Sequence, residues 1–66
     1  MIGKITYFNN ERGFGFIVND ESGDSAFVHI SQITGTNGEH PAVGQSVSYD
    51  TRTTKKGTEA IDVKFI

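Results

Sequence analysis

Flat side chains are concentrated in the first half of this sequence, at spacings that suit the stacking of planar ligands. Five of the seven aromatic residues fall between positions 7 and 27. Phe14 and Phe16 lie two residues apart, as do Phe27 and His29, so in extended strands each pair shares one face. The opposite faces carry branched aliphatic residues. If those faces point inward, the aromatic faces form a surface on which nucleic-acid bases could stack, at about 1–3 kcal/mol per base.

Alternation alone leaves the opposite orientation open, with the aromatic faces as the core, because phenylalanine is more often buried than exposed. Two residues favour exposure. Gly15, between two phenylalanines, suits the tightly curved wall of a barrel. His29 would be a poor core residue but a good stacking partner. We therefore expect the aromatic faces to be exposed.

Positive charge is sparse but suitably placed. Lys4, Arg12 and Lys56 are expected near the aromatic surface, where they would meet phosphates. About three such contacts give a shallow salt dependence, roughly 0.7 per contact for a single strand. The net charge of −2 argues against a partner held by bulk electrostatics, but it does not exclude one held by stacking. Duplex DNA is a poor target, because its base faces are hidden.

Other chemistries lack the residues they need. The chain has no cysteine, and its two histidines, His29 and His40, lie on different segments and do not make a metal-ligand set. The acidic run from Asp20 to Asp24 is interpreted as a solvated turn. No GxGxxG motif opens a helix, and no group of residues resembles a nucleophilic site. We predict no enzymatic activity and no cofactor. With no membrane-length apolar run and no signal-peptide pattern, we expect a cytoplasmic protein with no membrane partner.

The composition favours strands to position these side chains. There is no leucine, and isoleucine, valine and threonine supply 19 of 66 residues, which suits a pleated backbone. A helical turn is expected at Ser31–Ile33, followed by a polar loop over 34–45. Five short strands bury their apolar faces best by closing into a small Greek-key barrel, as one domain over residues 1–66. The predicted strands are 2–9, 14–19, 25–30, 46–54 and 58–66.

Alternation along these strands also predicts the core. Ile33 is expected to plug one end of the barrel. Tyr7 and Phe8 are ambiguous: strict alternation turns Tyr7 inward with Ile5 and Phe8 outward, whereas a bulge could present both aromatic rings. The residues predicted to face inward are Ile5, Ile17, Ala26, Val28, Val47, Tyr49, Ile61 and Val63.

Two segments, RGFGFIV (Arg12 to Val18) and AFVHI (Ala26 to Ile30), resemble the two ribonucleoprotein motifs of the bacterial cold-shock proteins. The similarity continues in the GKITYFN opening, the VGQSV run (Val43 to Val47) and the closing KKGTEAIDV. RNA-recognition domains carry a version of the first motif, but they need two helices that this sequence does not offer. The resemblance implies an all-β, five-stranded antiparallel Greek-key barrel, the OB-fold, that binds single-stranded RNA and DNA.

The resemblance also implies roles for individual residues. Base stacking falls to Phe14, Phe16, Phe27 and His29. Arg12 and Lys56 match basic positions of the family, and Asp24 matches an acidic position that accepts hydrogen bonds from a base edge. Phe8 and Asn9 match the family pattern beside these residues, as does Lys4, and Tyr7 occupies the position of a further stacking residue of the family. The implied partners are pyrimidine-rich single strands bound by a monomer, with strand exchange into a dimer through the long loop left open.

Four positions depart from the family pattern. Tyr7 stands where the family usually has tryptophan, Thr6 replaces a common lysine, and Ile30 replaces a common aromatic residue. In the long loop, Gly38 is followed by Glu39 and His40 rather than by a phenylalanine or tyrosine. If each lost stack is worth about 1–3 kcal/mol, binding should be weaker than on a full platform by about two to six kcal/mol.

The leading hypothesis is therefore an ATP-independent RNA chaperone or regulator of transcription or translation. It would melt RNA structure by trapping the unpaired strand. A second hypothesis, from another class, is a small barrel that binds proteins through its apolar patch or an exposed strand edge. A mobility shift with polypyrimidine and with duplex separates the two.

Overall fold

The computed structural model describes residues 1–35 and 40–66 of the chain. No α-helix occurs in these two stretches, and none of their segments has the length and apolar character of a membrane-crossing helix. The strands are β1 (Ile2–Asn9), β2 (Phe14–Asn19), β3 (Ser25–His29), β4 (Ile33–Gly35), β5 (Ser46–Thr54) and β6 (Gly57–Phe65). The ends of β1, β2 and β5 coincide with the predicted ones, and those of β3 and β6 differ by one residue.

Five of these strands close into a barrel, which confirms the predicted fold class. β1 pairs with β2 and with β5, β2 with β3, and β5 with β6, all antiparallel. The ring closes between β3 and β6 by a parallel pairing, at Phe27 and Glu59. Strand direction cannot alternate all the way around a ring with an odd number of members, so one pairing must be parallel. The β3–β6 pairing is therefore the one parallel pairing among the five that close the barrel.

The segment after β3 is more ordered than the sequence indicated. A 3₁₀ turn spans Ile30–Gln32, one residue earlier than predicted. The strand β4 comes next, where we expected the loop to begin, and pairs in parallel with Val63 and Lys64 of β6. Both β3 and β4 thus lie along one edge of β6. Ile33, predicted to plug the barrel, is half-buried and packs against the core.

Seven of the eight predicted core residues are buried, and Ile61 is the exception. Ala60 is buried in its place. The reason is an irregularity in the β5–β6 pairing: Ser48 pairs with Lys64 but Asp50 pairs with Ile61, so β6 carries one extra residue. Asp62 lies there with a φ of 50°. An extra residue resets alternation, which allows inward side chains three positions apart. The buried hydrophobic residues that form the core are Ile5, Ile17, Ala26, Val28, Val47, Tyr49, Ala60 and Val63.

A second bulge settles the ambiguity at Tyr7 and Phe8. Ile5 pairs with Ile17 and Tyr7 with Phe16, so Thr6 is an extra residue in β1. Tyr7 therefore faces outward, whereas Phe8 is half-buried and packs against the core. Strict alternation gave the reverse for both residues.

Gly15 is required where these two strands cross closely. A Cβ at Gly15 would overlap the carbonyl oxygen of Tyr7 and lie 2.6 Å from Cδ2 of Phe8. The absence of a side chain lets β2 lie directly against β1 and lets the Phe8 ring fold under the sheet. The same glycine separates Phe14 from Phe16, so this close approach fixes the spacing of their two rings on the outer face.

Candidate nucleic-acid interface

The outer face of β1, β2 and β3 carries four aromatic rings in a closed circuit. Tyr7 is 6.2 Å from Phe14 and 6.4 Å from Phe16, measured between ring centroids. Phe27 is 5.9 Å from Phe14, with the two rings within 24° of parallel, and 6.0 Å from Phe16, edge to face. These separations are typical of interacting aromatic pairs. We refer to Tyr7, Phe14, Phe16 and Phe27 as the aromatic platform.

The platform faces solvent. Tyr7 is 45% exposed, Phe16 is 40% exposed and Phe27 is 37% exposed, and Phe14 is half-buried. Ile17, which comes directly after Phe16, is fully buried. The barrel interior is filled by aliphatic side chains and Tyr49, so the interpretation in which the aromatic faces form the core is wrong. Exposed aromatic rings in contact with one another leave their free faces open to a planar ligand.

His29 lies at the border of the platform. Its backbone pairs with that of Phe14 across β2 and β3, and its side chain is exposed. The ring nitrogen Nδ1 accepts a hydrogen bond from the backbone N–H of Ser31 at 3.1 Å and lies 2.8 Å from the Ser31 hydroxyl oxygen. The imidazole is therefore held by the chain itself at the end of β3.

A groove extends the platform toward the β5–β6 turn. Its volume is about 470 Å³. Phe16 and Phe27 form one side, and the turn at the other side brings Lys56 to it. Aromatic surface and a cation thus meet across one groove, as in sites that stack bases and hold the backbone phosphates. The lining residues are Phe16, Phe27, Thr54, Lys56, Gly57, Thr58 and Glu59.

A carboxylate also lines this groove, and an arginine neutralises it. Glu59 accepts a hydrogen bond from the Arg52 guanidinium at 3.0 Å. The Glu59 side chain is 20% exposed and that of Arg52 is 57% exposed. The guanidinium offsets part of the negative charge that the carboxylate brings to the groove. This arrangement was not expected from the sequence, although a two-residue turn at Lys55–Lys56 would have placed Arg52 opposite Glu59.

The other two predicted cations are less directly engaged with the platform. Lys4 lies on β1 with its ammonium 3.5 Å from a carboxylate oxygen of Asp20, an exposed pair of small energetic weight. Arg12 is exposed in the β1–β2 turn. Asn9 organises that turn, since its side-chain oxygen accepts from the backbone N–H groups of Glu11 and Arg12. Of these three cations, Lys56 is the one that lines the groove beside Phe16 and Phe27.

Asp24 lies in a different cavity. That cavity also measures about 470 Å³, and its lining includes Asn19, Ser22 and Tyr49. Thr58 lines both cavities. Burial raises the pKa of the Tyr49 phenol above its usual value, while a hydrogen bond with Asn19 opposes this effect. The sequence predicts one site that contains Asp24 and the stacking residues. In the structure, Asp24 lines a cavity other than the groove beside the platform.

Two predictions concern the loop and metal binding. In the sequence, Glu39 and His40 stand where the family has a loop aromatic. Of these two residues, Glu39 lies outside the described residues, and His40 is exposed. Within residues 1–35 and 40–66, no three side chains of the metal-binding types come together as a ligand set.

Comparison with known proteins relates this chain to a nucleic-acid-binding family. It matches the 'Cold-shock' DNA-binding domain over residues 1–66. It is 43% identical to the cold shock-like protein CspG of Shewanella violacea over 61 aligned residues. The alignment covers 92% of this chain and 87% of that protein. It is also 43% identical over 61 residues to the cold shock protein CspD of Bacillus subtilis, covering 92% and 91% of the two chains. A cold shock-like protein of Thermotoga maritima is 39% identical over 66 residues, which cover 100% of this chain and 98% of that protein.

The fold is shared more widely. A solved structure described as drosophila Unr CSD456 superposes with a TM-score of 0.79 over 98% of this chain, at 20% sequence identity. This chain spans 26% of that longer chain. At this level of identity the likeness is one of fold.

Proposed function

We propose, from the premise that this chain belongs to the 'Cold-shock' DNA-binding domain family, that it binds single-stranded RNA and DNA by stacking bases on the aromatic platform. The observation that carries the proposal is the closed circuit of exposed rings, next to a groove that Lys56 lines. Base faces are accessible only in unpaired strands, so the platform selects single strands over duplex. Stacking is tolerant of sequence, because every base has a π face.

We propose that binding disrupts RNA secondary structure by mass action. A protein that binds only the unpaired strand shifts a hairpin equilibrium toward that strand, by an amount set by its free concentration relative to its Kd. No ATP is needed, because binding free energy drives the shift. The protein would then act as an RNA chaperone, or would regulate transcription or translation where a hairpin controls either process. The family is defined by nucleic-acid binding, which agrees with a non-catalytic role.

We propose that the affinity is modest. Tyr7 offers a smaller ring than tryptophan, and Ile30, which is 39% exposed, offers no π face. Each missing stack costs about 1–3 kcal/mol. The salt dependence should also be shallow, since a phosphate path near Lys56 and Arg12 gives two or three contacts at about 0.7 each. A protein with a net charge of −2 can bind in this way because stacking supplies most of the affinity.

The proposed site includes all the residues expected from the sequence. Some of them are proposed to contact the ligand, and others to support the residues that do. Phe8 supports the platform from beneath, and Asn9 shapes the turn that carries Arg12. Asp24 would meet a base edge only if the strand continued past Thr58 into the second cavity. The residues proposed to contact bases or phosphates are Lys4, Tyr7, Arg12, Phe14, Phe16, Asp24, Phe27, His29 and Lys56. We propose further that residues 1–66 act as one monomeric domain in the cytoplasm, on pyrimidine-rich strands.

Titration with oligonucleotides tests the proposal. Tyr7 is a natural fluorescent reporter, because the chain has no tryptophan and the other tyrosine, Tyr49, is buried. We expect a short oligothymidine to change the fluorescence in a saturable manner and a blunt-ended, fully paired duplex to have no effect. Ile66→Ala is a matched control. Ile66 is exposed and follows β6, outside the platform, so this variant should bind oligothymidine as the wild type does. Binding to neither oligonucleotide would refute the proposal and favour the protein-interaction hypothesis.

A further inference from the structure

His29 is fixed by hydrogen bonds at the point where β3 ends. Its side chain caps the 3₁₀ turn Ile30–Gln32, with Nδ1 accepting from the backbone N–H of Ser31 at 3.1 Å. The Ser31 hydroxyl oxygen is 2.8 Å from the same nitrogen. Both contacts come from one residue and converge on one ring atom.

These contacts determine where the neutral ring carries its proton. A backbone N–H can only donate, so the nitrogen it meets must present a lone pair. Nδ1 is therefore unprotonated, and the proton of the neutral imidazole lies on Nε2. The Ser31 hydroxyl must then donate to Nδ1 as well. Nε2–H, the distal ring nitrogen, remains as the only N–H donor that this exposed ring offers to a ligand.

The surrounding backbone ties this arrangement to the platform. The N–H of Ile30, next to His29, donates to the carbonyl of Gly13 at 2.8 Å. Gly13 directly precedes Phe14, whose backbone pairs with that of His29. The backbone of His29 is thus fixed relative to Phe14 by the strand pairing and by the Ile30–Gly13 hydrogen bond. The two Ser31 contacts then set the orientation of the imidazole.

We propose that Ser31 is a positioning residue of the nucleic-acid site. Its two contacts with Nδ1 keep the proton of the neutral imidazole on Nε2, so that His29 donates a hydrogen bond from Nε2–H to an oxygen of the bound strand in addition to stacking. The acceptor is a base carbonyl or a phosphate oxygen. This inference rests on the proposed function for its ligand, but the state of the ring in the free protein is independent of any ligand.

The free protein provides the first test. Long-range ¹H–¹⁵N correlation of the imidazole, at a pH where the ring is neutral, should show the Nε2–H tautomer. Ser31→Ala removes one of the two donors to Nδ1, so the Nδ1–H tautomer should become more populated, and Ser31→Thr should restore the wild-type pattern. A wild-type ring that carries its proton mainly on Nδ1 would overturn the proposal, even if the protein binds nucleic acid well.

Binding provides the second test, through a double-mutant cycle. Ser31→Ala should weaken binding to oligothymidine about two- to tenfold, the range expected for one hydrogen bond, and Ser31→Thr should recover most of it. In a His29→Phe background, which keeps a stacking ring but no donor, Ser31→Ala should have no effect. An equal loss in both backgrounds would mean that Ser31 acts on the fold of the turn, and the proposal would fail.

The acceptor is identified by changing the ligand. An oligothymidine with methylphosphonate linkages replaces one of the two non-bridging phosphate oxygens with a methyl group, which removes the negative charge and keeps the base carbonyls. If His29 donates to phosphate, the penalty of His29→Phe should shrink with this ligand, because the remaining neutral oxygen is a weaker acceptor. If His29 donates to a base, the penalty should be unchanged. A chain in which His29→Phe costs nothing with either ligand has no such hydrogen bond. If the wild-type protein binds no single strand, the proposed function fails, whereas the tautomer result stands separately.

Discussion

Phe16 and Ile17 are adjacent in β2 but point to opposite sides of the barrel wall, so alanine substitutions at the two positions should have opposite effects. Phe16 is 40% exposed and Ile17 is fully buried. Phe16→Ala should weaken binding of a short oligothymidine and lower the stability of the fold only mildly. Ile17→Ala should destabilise the fold and leave the affinity of the folded protein almost unchanged.

The structure gives the size of each effect. In the free protein the Phe16 ring has two edge or tilted contacts, with Tyr7 and Phe27, and losing them should cost about 1 kcal/mol of unfolding free energy. Losing one base stack costs about 1–3 kcal/mol of binding, or roughly 5- to 150-fold in Kd. Ile17→Ala removes a buried side chain and leaves a cavity, which should cost about 2–5 kcal/mol of stability.

Two measurements on each variant suffice. Thermal unfolding should show a decrease in Tm of about 4–8 °C for Phe16→Ala and at least twice that for Ile17→Ala. Fluorescence titration, below the Tm of each variant, measures the affinity. If Phe16→Ala were as destabilising as Ile17→Ala, or bound as tightly as the wild type, the assignment of the aromatic face as the binding surface would be refuted.

Three further predictions come from the packing and the charges. Gly15→Ala places a methyl group against the β1 backbone and should lower the free energy of unfolding by about 3 kcal/mol or more in denaturant titration. Burial raises the pKa of the Tyr49 phenol above its ordinary value of about 10. As the pH rises past that value, the unfolded chain loses the phenol proton before the folded chain does, so the free energy of unfolding should fall. In alkaline unfolding, Tyr49→Phe should remove the part of this decrease that comes from Tyr49. Arg52→Ala leaves the Glu59 carboxylate unpaired beside the ligand and should weaken oligonucleotide binding about two- to fivefold, measured by fluorescence.

Each of these has a control. The control for Gly15→Ala is Gly23→Ala. A Cβ at Gly23 would meet no atom within 4 Å, so this substitution carries only the backbone cost of its positive φ, about 1–2 kcal/mol. If Gly15→Ala lowered the free energy of unfolding by no more than Gly23→Ala does, the close packing at Gly15 would be contradicted. For the ion pair, Glu59→Gln should rescue Arg52→Ala. Without rescue, Arg52 acts on the ligand directly. A Tyr49→Phe protein with an unchanged alkaline profile would argue against burial of the phenol.

The strands and most of the core were predictable because they obey simple alternation. β1, β2 and β5 match the predicted ranges, since each is bounded by turn residues or a change of composition. Alternation fails at the two bulges. The extra residues Thr6 and Asp62 carry no local signal that marks them as extra, and each reverses the orientation of the neighbouring side chains in its strand. That is why Tyr7, Phe8 and Ile61 could not be placed correctly from the sequence.

The site was predictable in its aromatic part and less so in its polar part. Phe14, Phe16 and Phe27 lie on regular strands, so spacing predicted which residues share a face within each strand. Gly15 and His29 then favoured exposure of the aromatic faces. Asp24 and the Arg52–Glu59 pair depend on which turn approaches which strand, and this requires knowing how the barrel closes. The parallel contact between Phe27 and Glu59 joins residues 32 positions apart, and no local pattern reports it.

The central claim, that single strands bind on the aromatic face, is tested most directly by NMR chemical-shift mapping with a short oligothymidine. Binding on that face predicts that the largest shift changes fall on the platform and on the residues beside it. The signals of Ser48, Asp50 and Lys64, on the outer faces of β5 and β6, should barely move. Changes concentrated on those three residues, with the platform unaffected, would contradict the claim. The residues expected to change most are Tyr7, Phe14, Phe16, Phe27, His29 and Lys56.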